Sequence, residues 1–151
     1  VDLLRAHWGG DQLDIDTANT HASGFAGRPV PVQQPGPPIM IGGGAPQILG
    51  LAGRLADIVS INFNNSSGRL GGASVDSSGA DETAEKIGWI RDGAGDRFDQ
   101  IELEIGGYFV AVGDGAAAQL DAMAHRFGVS AEIVRQPGRR GFRRADDHEI
   151  R

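Results

Sequence analysis

The order of apolar and polar positions divides the chain into short segments with distinct periods. Leu3, Leu4 and Trp8 fall at helical spacing over residues 1–8, and Gly9-Gly10 stops that helix. Residues 9–36 are polar and punctuated and lead through RPVPVQQPGPP, an extended proline-rich approach that runs on to 38. Over 37–41 both faces are apolar, which predicts a short buried strand. Pro46 suits the first turn of a helix, where its missing N–H costs nothing. Ile48, Leu51, Ala52 and Leu55 would share one face of it, with Gly50 and Gly53 allowing close approach to a sheet. Over 57–63, Val59, Ile61 and Phe63 alternate with Ser60 and Asn62, the period of a second strand.

Residues 64–79 (NNSSGRLGGASVDSSG) read as a structureless loop, longer than most connections in compact domains. Asp81 opens a helix carrying Ile87, Trp89 and Ile90, ended by Gly93 and Gly95. A third strand is expected at 101–105. A helix follows at 116–127, then a short last one capped by Ser130. Strands separated by helices imply parallel crossovers, so the fold class is α/β. Three strands make a small sheet with two unpaired edges, which suggests part of a larger α/β body.

Composition narrows the chemistry. The chain has 151 residues, 24 of them glycine, a net charge of −6 and no cysteine. The acidic balance argues against a general nucleic-acid binder, and the missing cysteines exclude disulfides and thiolate sites. No apolar run approaches a membrane span and no signal peptide is evident, so a cytoplasmic protein without a membrane partner is expected. The chain starts at Val1 inside a helix, and its end holds six of fourteen basic residues over 135–151, read as a solvated, poorly ordered tail. Both ends suggest a piece of a longer protein.

The segment with the most chemical content is Ile41-Gly42-Gly43-Gly44-Ala45-Pro46, where a strand ends in glycines and a helix begins. The first amides of a helix lack internal partners, and its dipole is positive there, so such a turn can cradle a phosphate. A tight turn that needs only backbone freedom explains the same residues equally well. No P-loop pattern is present, and the spacing fits a dinucleotide fingerprint poorly. Asn62 and Asn64 lie at a strand's C-terminal end, as substrate contacts or as caps of the next loop. That loop is either a lid or filler. Glu102 and Glu104 share a strand face but read as solvated carboxylates, and Asp57 as a partner for backbone donors. His7, His21, His125 and His148 lack ligand spacing, so no metal is expected, and no serine-hydrolase elbow appears.

The stretch PVQQPGPPIMIGGGAPQILGLAGRLADIVSINF resembles the luciferase-like monooxygenase superfamily, in particular its deazaflavin (coenzyme F-420)-dependent oxidoreductases. EKIGWIRDGAGDRFDQIELEI and LLRAHWGGD extend the resemblance to roughly residues 1–134, and the basic tail over 135–151 does not fit it. The resemblance implies a TIM (β/α)8 barrel of which this chain is the C-terminal half, its strands being approximately the last three. It implies hydride transfer or monooxygenation of a small-molecule substrate, with F-420, alternatively FMN, as cofactor. The glycine turn would hold the cofactor's phosphate. Catalytic residues are not assigned, and the chain alone is expected to be inactive, needing a missing N-terminal half-barrel. The competing reading is a non-catalytic α/β module that binds a phosphorylated ligand or forms a homodimer through its sheet edges.

Overall fold

The computed structural model describes residues 1–68, 71–106, 109–135 and 142–145. The chain forms two compact units, Val1–Ile39 and Met40–Arg151. That boundary lies inside the 1–134 stretch that the sequence reading treats as one domain.

In the first unit, helix α1 (Asp2–Trp8) ends at Gly9 and Gly10, the latter at φ 81°. The polar stretch after it holds an antiparallel hairpin, β1 (Gln12–Asp16) with β2 (His21–Ala26), which the sequence reading did not foresee. Leu13 and Ile15 are half-buried and alternate with exposed Gln12, Asp14 and Asp16. The turn is closed by the Thr17 amide donating to Thr20 O at 2.9 Å. Two apolar residues in five gave too little contrast against their polar neighbours to reveal the period.

The second unit is built on a three-stranded parallel sheet in the order β3 (Met40–Gly43), β4 (Ile58–Ile61), β5 (Glu102–Glu104). The α/β class with a parallel sheet is as expected. The first strand lies further along than the expected 37–41, because Pro37 and Pro38 have no N–H to give to a ladder. Nor is it buried on both faces: Met40 is 54% exposed and Gly42 is exposed too.

Helix α2 (Pro46–Leu55) follows β3, and helix α4 (Ala80–Ala94) follows the short helix α3 (Gly72–Asp76). The main core joins Leu49, Ala52 and Ala56 to Val59, Ile61, Ile90, Ala94 and Ile101. The buried stripe of α2 therefore runs through Leu49, Ala52 and Gly53, while Leu51 is exposed, correcting the expected face. Gly53 serves a close approach to α4 and not to the sheet. A Cβ there would stand 2.3 Å from Ile90 O, and one on Gly93 would stand 2.2 Å from Gly50 O. Gly93 thus lies within α4 as a packing residue; Gly95, at φ 56°, ends the helix.

The connection after β4 is not structureless, since α3 buries Ser74 and Val75. Val75 joins a second core with Phe63, Ala111, Leu120, Ala124 and Val134. These come from β4's extension, strand β6 (Phe109–Val112), helix α5 (Ala116–Phe127) and helix α6 (Ala131–Arg135). Ser130 caps α6 as expected, its Oγ accepting from the Ile133 amide at 3.3 Å. Within the expected tail, β7 (Phe142–Ala145) pairs in parallel with β6. The rest of 136–151 lies outside the described residues. Among the described residues no helix is long and apolar enough to cross a membrane.

Candidate functional site

β4 is central, and its ladder fixes the glycine turn. Gly42 pairs with Ser60 and Gly43 with Ile61, and the Asn62 amide donates to Gly43 O at 2.8 Å. None of the three glycines has a positive φ. Two of them are demanded by close approach. A Cβ on Gly43 would stand 2.4 Å from Ile48 Cγ2, and one on Gly44 would stand 2.1 Å from Phe63 O. The turn thus lets α2 start flush against the end of β4. Gly42 has more latitude, since a Cβ there would meet the flexible Asn62 carboxamide at 2.8 Å.

The start of α2 carries open donors. Ala45, in extended conformation, offers no capping side chain, and Pro46 occupies the first helical position. The first helical bond is donated by Leu49 to Ala45 O at 3.1 Å. The amides of Gly44, Ala45, Gln47 and Ile48 find no acceptor among the described residues. Three of these donors lie on or beside an exposed first turn, at the positive end of a ten-residue helix. Phosphate chemistry fits this donor set; a cation does not.

The two asparagines have different surroundings. Asn62 is half-buried beside Gly42 on the sheet face away from α2, its Nδ2 donating weakly to Ser60 O at 3.4 Å. Asn64 is committed to the loop: its Oδ1 accepts from the Ser66 amide at 3.2 Å, and its own amide donates to Ser77 Oγ at 2.8 Å. Glu102 and Glu104 lie on β5 on the Asn62 side of the sheet. Asp57 lies 3.9 Å from Arg97, which makes it an ion-pair partner. His7 stacks on Phe25 and His21 contacts Asp16 at 2.6 Å, while His148 is outside the described residues. Among the described residues no three potential ligands gather as a metal site.

Lys86 is a candidate that no sequence motif marks. It is 3% exposed, and its Nζ donates to Asn62 O at 2.9 Å and to Ser77 O at 2.6 Å. Burial pushes its pKa below the ordinary value, while Glu82 and Glu85 pull it back up. The signal was its place in the stripe Thr83, Lys86, Ile90, Ala94 on the buried side of α4.

No family model matches the sequence, and no curated protein matches it. Among solved structures, the coenzyme F420 dependent tetrahydromethanopterin reductase from Methanopyrus kandleri is similar in fold, with a TM-score of 0.59 and 17% identity. The likeness covers 87% of this chain and 39% of that one. It places the α/β arrangement among folds that include such a reductase.

Proposed function

We propose that this chain is the cofactor-phosphate-binding part of an F-420-dependent oxidoreductase of the luciferase-like kind, a partial (β/α)8 barrel carrying its last strands. One observation supports this most: uncapped amides at the start of α2, at the C-terminal edge of a parallel sheet where α/β folds take their ligands. The fold it shares with an F420-dependent reductase supports the same reading. Gly44, Ala45, Gln47 and Ile48 would receive the phosphate through backbone N–H groups, with Gly42 leaving room beside Asn62. The deazaflavin, when bound, supplies the hydride chemistry, and the protein's part is to hold and orient it. FMN, which also carries a phosphate, is the alternative cofactor. Asn62 and Asn64, at the end of β4, are the candidate substrate contacts in this chain, which spans 39% of the reductase whose fold it shares.

The test is Gln47→Glu. A carboxylate in the first turn favours the helix dipole, so stability holds or rises by about 0.3–1 kcal/mol. The same charge opposes a phosphate, so F-420 affinity, read by fluorescence titration of the full chain, falls about tenfold. Unchanged affinity in the variant, or no saturable binding by the parent chain up to about 1 mM, removes the reading. Dimers in native mass spectrometry without any cofactor binding would favour the module that self-associates through its sheet edges.

A further inference from the structure

Lys86 is the buried charge at the ligand end of the sheet. Lysine is rarely this enclosed without a carboxylate partner. Here both acceptors are neutral carbonyls, and no other bond to Lys86 exists among the described residues. Glu82 and Glu85 are exposed on the same helix and act on it at longer range. Two carbonyl oxygens bonded to Nζ favour the ammonium form. An ammonium has three donors, and two are used among the described residues. Lys86 also lines a cavity of about 20 Å³ with Asn62, Ser78, Thr83 and Gly106, room for one water.

The Asn62 carbonyl connects this charge to the turn. The oxygen that accepts from Lys86 is also 2.7 Å from where a Cβ on Gly44 would stand. The ammonium and Gly44 therefore share the Asn62 carbonyl oxygen as a common neighbour at the end of β4. We propose that Lys86 is a positioning residue of the anion site: it fixes the end of β4 against Gly44 and lends positive potential to the open amides of the turn. This rests on the anion-binding reading above and adds a residue that no sequence motif marks. A purely structural lysine would change stability and would treat charged and uncharged ligands alike. A lysine acting through its field discriminates by ligand charge.

The experiment titrates F-420, and the same chromophore without its phosphate, into the full chain and into the Lys86→Met, Lys86→Arg and Gln47→Glu variants. Thermal melts are run alongside. The expected result for Lys86→Met is about a tenfold loss for F-420 and no change for the phosphate-free chromophore. Lys86→Arg recovers most of the loss. If Lys86→Met unfolds, Lys86→Gln, a neutral side chain that can still donate to a carbonyl, carries the same expectation. Equal losses for both ligands, or an unchanged F-420 affinity where Gln47→Glu does lose it, overturn the role of Lys86 and leave the anion site standing. Should Gln47→Glu also leave F-420 binding untouched, both readings fall together.

Discussion

At Gly53 a single hydrogen decides whether two helices can meet. A Cβ there would press on Ile90 O at 2.3 Å and Ala94 N at 3.0 Å, both backbone atoms of α4 that cannot swing aside. Gly53→Ala is expected to destabilise the protein by about 1–3 kcal/mol, despite alanine's better helix propensity. Gly88→Ala is the control. It lies in the same helix pair with nothing within 4 Å, so it should gain about 1 kcal/mol from propensity. Urea midpoints for the two variants should move in opposite directions; a shared direction would mean the close contact carries no energy. Lys86 gives a second prediction at this scale. Its pKa is lowered from 10.5 in the folded chain, chiefly by burial. Between the folded value and 10.5 the unfolded chain binds more protons, so stability rises with pH through that window. The contribution is lost as pH falls through the folded value. Urea midpoints of Lys86→Met, measured over the same alkaline range, should lack this rise.

Among the elements, α2 depends on its ends. Its C-terminus is held by Arg97, whose guanidinium donates to Gly53 O at 2.5 Å and Ala56 O at 2.8 Å. A cation on the last carbonyls satisfies orphan acceptors and complements the helix dipole. Arg97→Met should cost about 1–2 kcal/mol in urea unfolding, with Arg97→Lys recovering only part, since one ammonium cannot reproduce the planar fork. No such cost would show the clamp to be idle. This layer of the fold was readable from sequence where periods were strong. Val59, Ile61 and Phe63 are the buried face of β4, and Pro46 opens α2 as the pattern demanded. The hairpin of the first unit was hidden because Leu13 and Ile15 are its only inward apolar pair in β1. The stripe of α2 was misplaced by one residue because Leu49 and Leu51 are equally apolar, and only contact with α4 selects between them. Glycines that look like breakers, such as Gly93, proved to be contact surfaces, a distinction that depends on what lies opposite. For the candidate site, the glycine turn was legible from its composition. Lys86 was marked only by its place in the stripe with Thr83, Ile90 and Ala94, a weak signal because two of those four residues are polar.

The whole molecule has a small parallel sheet, one face of which packs on α2 and α4 through a single core. The other face presents Met40, Ser60, Asn62, Glu102 and Glu104 along neighbouring strands. The segment after β4 begins and ends at one point, because the Asn64 amide is tied to Ser77 Oγ and Lys86 bonds both Asn62 O and Ser77 O. Such a noose tolerates extra length. Closure entropy grows only with the logarithm of loop size, about 0.6 kcal/mol for each doubling. Gly68, exposed at φ 72° with open space around it, is where added residues would strain nothing. A ten-residue Gly/Ser insertion after Gly68 should therefore shift the thermal midpoint by no more than about 4 °C, the equivalent of roughly 1 kcal/mol or less; a collapse of the fold would show that the knot at its base is not self-sufficient. The same spot then becomes an anchorage for a polarity-sensitive dye, a built-in lamp whose colour would change when the tie at the base of the loop is released.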